Sequence, residues 1–479
     1  MHDVRRFSLV FAAVGLVAFN VSAPAAAQSD EGRAVRTAAT SETIPSKTGG
    51  ELSGTFWEVL GDTTLNRLMD EARRGNLDLR AAAARVDAAD ASHFQAALEL
   101  TPSISASGGY TRRRLASSAF PGVGAGTLPD QDLWDSGLNA AWELDLFGRL
   151  RSGLRARSEL LGAADEDVRD VQVSIGAELA RSYFDLRGTQ DRLAVARRNA
   201  ENQRHTLELT QNRLEAGRGT ELDTERARAQ LSSTLAAIPS LEARIATMQY
   251  RIAVLVGRAP AELAGELTGQ GGLPELPDTV PASSPSELVR RRPDVLGAES
   301  RVAATEALVS SARADYLPRL SLAATAGYTA NAVDAFGNRG TFNYAFGPVI
   351  TWAAFDMGRV KSRVDQAQAR QREARAQFEQ LTLLAREDIE ATTVLYRTAR
   401  ARLEHLRQAA AASERAAALA RLRYEGGIAD FLQVLDAERT VLAAQDQLAQ
   451  GETQAADAYV GLYKARGATW PAERSGGNR

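Results

Sequence analysis

Trp142-Glu-Leu-Asp-Leu-Phe-Gly-Arg149 is written a second time, 210 residues later, as Trp352-Ala-Ala-Phe-Asp-Met-Gly-Arg359. At the same offset Arg213, Glu215 and Gly217 return as Arg423, Glu425 and Gly427, and Thr220 returns as Asp430. Upstream, Pro102 to Tyr110 echoes Pro318 to Tyr328 with a small shift. A duplication this long means one architecture assembled from two similar halves. Each copy reads as strand, loop, strand, a very long helix, a Gly turn and a returning helix.

The strands announce themselves by period 2. Positions 320, 322, 324, 326 and 328 are Leu, Leu, Ala, Ala and Tyr, alternating with Ser321, Ala323, Thr325, Gly327 and Thr329. Phe342, Tyr344, Phe346, Pro348, Ile350 and Trp352 alternate with Asn343, Ala345, Gly347, Val349 and Thr351. In the first copy Trp134, Leu138, Ala140 and Trp142 alternate with Asp135, Gly137, Asn139, Ala141 and Glu143. One greasy face and one small, polar face is the signature of half-exposed strands. Runs of about ten residues suit tilted transmembrane strands. Trp134, Trp142, Tyr328 and Trp352, near strand ends, suit an interfacial aromatic girdle.

The helices are longer than a compact domain can hold. From Arg359 to Glu425 there is neither Gly nor Pro. At 1.5 Å per residue that stretch spans roughly 100 Å. Val360, Val364, Ala367, Ala374, Phe378, Leu381 and Ala385 follow a 3–4 rhythm, so this helix must pack along others. Gly217-Arg-Gly219 and Gly426-Gly427 should end the long helices by supplying positive φ. Thr220 and Asp430 should start the return helices as capping-box-like residues. Pro239 should kink or interrupt the first return helix. Trp57 to Leu98 reads as helical, with Leu65, Leu68 and Met69 on one face.

Net charge is −3, which argues against a nucleic-acid role. Cysteine is absent, so there is no disulfide framework, thiol nucleophile or Cys-based metal site. The four histidines are scattered, and no catalytic constellation, metal site or cofactor motif appears. Arg5 and Arg6, the apolar run Phe7 to Phe19 and Ala25-Ala26-Ala27 read as a secretory signal.

These signals divide the chain as follows. Residues 1–27 are signal and 28–56 an extended arm. The first repeat is 57–257, with strands near 103–114 and 133–146, a long helix near 148–216 and a return helix near 221–256. A Pro/Gly-rich connector, 258–286, leads to the second repeat, 287–470. Its strands lie near 319–330 and 341–355, its long helix near 358–425 and its return helix near 430–466. A tail, 471–479, follows.

Four strands cannot close a barrel, and open edges are not tolerated in lipid. The chain must therefore associate, and symmetric homo-oligomers are the default. Three copies would bring twelve strands together, although strand count alone leaves the stoichiometry open.

At this point the residues match a family. The chain resembles the TolC-like outer-membrane efflux factors, in the branch that serves RND-type pumps. The carriers are Asn76-Leu-Asp-Leu79, Trp142 to Arg149, Arg292-Pro-Asp-Val295, Tyr424-Glu-Gly-Gly427, Val434-Leu-Asp-Ala437 and Leu462-Tyr-Lys-Ala465, with Trp470 close behind. The resemblance implies an α+β membrane protein: a homotrimer with a 12-stranded β-barrel in the outer membrane and a 12-helix α-barrel in the periplasm. It implies passive conduction of small molecules, drugs or toxic compounds, and no enzyme activity. Its implied partners are a periplasmic adaptor, an inner-membrane RND-type transporter and outer-membrane lipid, with no nucleic acid. Many members of this branch carry a lipidated cysteine after the signal; this chain has none.

The resemblance also implies a periplasmic gate at the start of the last helix. Leu432 and Asp436 match apolar and acidic rings there, Tyr424 matches a latch residue, and Arg439, one turn on, is expected to partner a carboxylate. Gln433 and Ala429 depart from the family pattern, which has charged residues at those positions. The helix tips, Gly217, Gly219, Thr220, Gly426, Gly427 and Asp430, are expected to receive the adaptor. Two other readings fit much of the pattern: a duct for protein secretion, and a periplasmic coiled-coil scaffold without a pore.

Overall fold

The computed structural model describes residues 56–114, 130–263, 265–268, 272–277 and 284–467. The signal, nearly all of the arm, Trp470, the tail and parts of the connector lie outside the described residues.

Four antiparallel strands form one sheet in the order β1 (Ser103–Arg113), β2 (Gln131–Leu144), β3 (Arg319–Ala330), β4 (Phe342–Thr351). The register joins the two copies: Trp142 faces Leu322, Leu138 faces Ala326 and Trp134 faces Ala330. Tyr110 faces Trp134 at one seam and Ala324 faces Phe346 at another. Because side chains alternate, this register puts every even-numbered residue on one face. That face is the apolar one. Phe346 is 81% exposed, Ile104 73%, Ile350 70% and Tyr344 69%, so nothing among the described residues covers it. The odd-numbered face carries Ser, Thr, Asn, Gly and Ala, with Asn139 donating to Ser107 Oγ at 3.1 Å and Asn343 to Thr329 Oγ1 at 3.0 Å. Strands β1 and β4 each keep one unpaired edge among the described residues.

All helix junctions fall at the same end of this sheet. Helix α3 (Leu77–Leu98) enters β1, and β2 leads into α4 (Arg149–Glu215). In the second copy α8 (Pro293–Ala314) enters β3, and β4 leads into α9 (Met357–Glu425). Trp142 Nε1 donates to the Leu100 carbonyl at 2.9 Å, and Trp352 Nε1 to the Tyr316 carbonyl at 3.0 Å. Each repeated Trp thus closes its own helix–strand corner. In the first copy Asp145 accepts from the Leu150 and Arg151 N–H groups and caps α4, while Arg149 forks onto Glu143 at 2.9 and 2.8 Å. The repeated segment that opens the sequence is therefore a sheet-to-helix joint.

Helix α4 has 67 residues and α9 has 69. At 1.5 Å per residue each runs roughly 100 Å. Their returns are α5 (Glu221–Leu255) and α10 (Phe431–Ala465). The main core lies midway along these helices. There Tyr183, Phe184 and Leu186 of α4 meet Ile252 of α5, Tyr459 and Leu462 of α10, and Leu65, Leu68 and Met69 of α2 (Thr63–Gly75). Asn76 caps α3 through Leu79 N–H and donates to the Leu255 carbonyl of α5 at 2.8 Å. Arg292 does the corresponding work in the second copy: it begins α8 and donates to the Ala465 carbonyl of α10 at 3.2 Å. It also pairs with Asp294 at 2.7 Å. Both short motifs pin a strand-feeding helix to the end of its return helix.

The helical stretch Trp57 to Leu98 is three helices, α1 (Phe56–Val59), α2 and α3, because Asp62 and Asn76 cap new starts with their side chains. One sequence expectation is corrected in part. Pro239 does not interrupt α5, which runs unbroken through it. Pro239 is exposed, so the carbonyl it leaves without an N–H partner is on the solvent side. Elsewhere among the described residues, α6 (Pro260–Leu263) and α7 (Pro285–Arg291) are short.

Candidate functional site

The two helical hairpins turn by the same backbone device. Gly217 has φ 69° and Gly427 φ 73°. Arg218 N–H reaches back to the Arg213 carbonyl, and Ile428 N–H to the Arg423 carbonyl, each at 2.9 Å or less. These are Schellman-type ends, which need a left-handed residue that glycine supplies without strain. The other two tip glycines act differently. Gly426 is right-handed, with φ −73°. Gly219 leaves room: a Cβ there would stand 2.9 Å from the Leu214 nitrogen. Thr220 and Asp430 then cap α5 and α10 by accepting from the Asp223 and Gln433 N–H groups.

Above the turns the tips are tied together asymmetrically. Tyr424, 6% exposed, packs with Phe431, Val434, Leu435 and Ala227. Its ring lies 5.8 Å from that of Phe431. Arg213, from the first copy, places its guanidinium 4.1 Å from the Tyr424 ring centroid. The same Arg213 donates to the Tyr424 carbonyl at 2.7 Å and to the Glu425 carbonyl at 3.1 Å. A cation that stacks on a ring and satisfies two helix-end carbonyls complements the negative end of α9.

Leu432 is 54% exposed and Asp436 is exposed, four residues further along the same helix face. The Asp436 carboxylate has no ion-pair or hydrogen-bond partner among the described residues. The buried positions of that segment are Phe431, Val434 and Leu435, so Leu432 and Asp436 face away from the packed side. Arg439 departs from expectation. It donates to Gln230 Oε1 of α5 at 2.7 Å, not to a carboxylate. The reason is placement: α5 packs where an acid was expected, and its Gln230 is 209 residues distant in sequence.

The sequence reading missed Glu438. It is 7% exposed and accepts from Arg421 of α9 at 2.8 Å and from Thr206 of α4 at 2.7 Å. One buried carboxylate therefore links three helices just above the tips. Its only sequence signal was position, on the α10 face shared with Val434, Leu435 and Val441.

Further along, acidic groups are buried between α4 and α10. Burial and the neighbouring Asp185 push the Asp457 carboxyl up to about 7, against an opposing pull from Arg181. Burial and Glu452 push Asp191 up to about 6, opposed by Arg187 and Arg198. Asp457 Oδ1 is enclosed without a hydrogen-bond partner among the described residues.

In the sheet, Tyr110 and Trp134 stack with centroids 4.6 Å apart, and Tyr328 lies 5.5 Å from Phe342. This aromatic row marks the end of the sheet remote from the helices. Trp142 and Trp352 mark the helix end.

A family model described as outer membrane efflux protein matches residues 68–258 and 284–468, one stretch on each copy. The pyoverdine export outer membrane protein OpmQ of Pseudomonas aeruginosa is 32% identical over 424 residues, covering 88% of each chain. The toluene efflux pump outer membrane protein TtgI of Pseudomonas putida is 30% identical, covering 86% of this chain and 87% of its own. Among solved structures, the outer-membrane channel OprN superposes with TM-score 0.82 at 39% identity, covering 87% of this chain and 93% of that one. The open-state MtrE outer membrane channel of Neisseria gonorrhoeae superposes with TM-score 0.73 at 25% identity, covering 84% and 88%. A twice-written sheet-to-helix joint, an uncovered apolar sheet face, a family match on both copies and these likenesses along most of the chain lead to one conclusion: this protein belongs to the outer membrane efflux protein family.

Proposed function

We propose that this protein is the outer-membrane exit duct of a tripartite efflux pump, assembled as a homotrimer and conducting small molecules passively. The carrying observation is the four-stranded sheet, apolar along the even face between its aromatic rows apart from Ser136, and unpaired at one edge each of β1 and β4 among the described residues. In lipid such edges must close on other copies. Three chains give a 12-stranded barrel, between the filled eight-stranded size and the open sixteen-stranded one. The small, polar odd face then lines the lumen. Trp134 and Trp142 are eight residues apart, about 26 Å along a strand and about 20 Å along the axis of a barrel whose strands tilt by about 40°, close to the height of an apolar band about 25 Å tall. Tyr328 and Trp352 complete the two girdles against outer-membrane lipid.

The helical hairpins extend this duct into the periplasm, where Leu432 and Asp436 from three copies would form the narrowest rings. Tyr424, held by Arg213, would keep the second hairpin against the first, with Arg439 and Gln230 as a second tie. The tips around Gly217, Gly219, Thr220, Gly426, Gly427 and Asp430 are the docking surface for a periplasmic adaptor. An inner-membrane RND-type transporter supplies energy and selects the substrate. The pyoverdine and toluene named for its relatives make small-molecule cargo the natural class.

The test uses the full-length protein. Purified from outer membranes, it should run as a heat-modifiable trimer and give discrete channels in planar bilayers. A strain lacking its own duct should regain efflux only when adaptor and transporter are also present. A monomer without conductance would overturn the reading.

A further inference from the structure

The register sorts the ionisable side chains of the sheet by face. Between the two aromatic rows, Asp135 is the only ionisable residue on the odd face among the described residues. Arg113 lies beyond one end of that stretch, and Glu143 and Arg319 at the other. Those last two are already paired, with Arg149 and Asp315. Asp135 has no ion-pair or hydrogen-bond partner among the described residues. It faces Gly109 of β1 and Thr329 of β3. A Cβ on Gly109 would stand 3.0 Å from Asp135 Oδ1, so the carboxylate leans over the strand at the point where the neighbour has no side chain. Arg113 is four residues further along β1, about 13 Å away, beyond the 8 Å screening length of physiological salt.

We propose that Asp135 is the charge-selective residue of the barrel, making the end of the duct remote from the helices prefer cationic over anionic permeants. The assignment rests on the trimeric-duct reading, which turns one carboxylate into a ring of three. Twelve strands about 4.8 Å apart and tilted by about 40° enclose a lumen of roughly 12 Å radius. Each carboxylate then lies about 10 Å from the axis, where at about 0.1 M salt three of them enrich cations and deplete anions by roughly twofold each. At about 1 M the screening length is about 3 Å and the effect vanishes. The ring is separate from Asp436, which sits at the far tip of the helices.

Zero-current potentials in planar bilayers under a KCl gradient test this. The background is Asp436→Ala, so that the tip ring does not set the selectivity. Asp135→Asn in that background should lower the potassium-to-chloride permeability ratio by about fourfold near 0.1 M and by nothing near 1 M. Asp135→Glu, which keeps the charge, should keep the ratio. Conducting trimers of Asp135→Asn with an unchanged ratio would overturn the assignment, as would a loss of selectivity equal in the Glu and Asn variants. If the parent protein itself gives no channels, the duct reading fails and this assignment falls with it.

Discussion

The first and second hairpin tips share one backbone and differ in what they do with it. Both end in a left-handed glycine, both bond back to an arginine carbonyl, and both restart with a capping side chain. At the position of Tyr424, however, the first copy has Leu214, 37% exposed. Where the second copy has Asp436, the first has Arg226, which leans toward Asp223 at 3.9 Å. The first tip spends its polar groups on itself: Thr220 donates to Asp223 at 2.7 Å. The second tip buries its aromatic pair, takes Arg213 from the first, and leaves Leu432 and Asp436 exposed. A duplicated scaffold thus supplies shape twice, and divergence at a few positions separates the anchored contacts from the exposed Leu432 and Asp436.

The largest expected effect comes from removing the bond between the tips. Arg213→Ala deletes two charge-assisted hydrogen bonds and a cation–π contact, about 2 kcal/mol or roughly a 30-fold rise in the open population. Open probability in planar bilayers measures it. An unchanged value would mean that the tips are held by something other than this contact.

Next is the contrast between Asp436 and Arg226. Asp436→Ala combined with Leu432→Ala should raise single-channel conductance by about twofold or more and lower cation selectivity, because both bulk and charge leave the narrowest rings. Arg226→Ala should change neither. Equal effects from both would erase the asymmetry argued for the two tips.

Glu438→Gln should have a smaller effect. It keeps the shape but removes the charge that holds Arg421, at a cost of about 1–2 kcal/mol. Hydrogen exchange of the α9–α10 tip should quicken while that of the α4–α5 tip does not.

The smallest effect depends on pH and lies in the core, away from both tips. The folded Asp457 carboxyl titrates near 7 against an ordinary 3.8, so the folded state holds this proton more tightly than the unfolded one. Its contribution is therefore best below about pH 4 and declines as pH rises toward 7. Asp457→Asn should match the parent near pH 4 and exceed it by about 1–2 kcal/mol at pH 8, read as the temperature of trimer dissociation. A constant difference across that range would assign the effect to packing.

How much of this was legible beforehand follows from the range of each interaction. Period 2 in Leu320 to Tyr328 and Phe342 to Trp352 announced a two-faced sheet, and the register keeps that face unbroken across both copies. Tyr424 was visible only through the family resemblance, since the first copy has Leu214 at its place. Arg439 was visible, but its partner within the chain, Gln230, was not, because Gln230 comes from another helix 209 residues away. Glu438 was passed over, since no local period places one glutamate between Arg421 of α9 and Thr206 of α4. Arg213 was read only as a repeat marker, and its contact with Tyr424 spans 211 residues.

The chain by itself determined the duplication, the element types and which sheet face is apolar. These are consequences of local conformational preference and of side-chain period, both written within a few residues. Only the tertiary structure decided which copy supplies the anchor and which the exposed acid, and that Asp135, already placed on the small, polar face by its period, stands between Gly109 and Thr329. Those facts depend on how separate helices and strands are set side by side, and no local period carries that information.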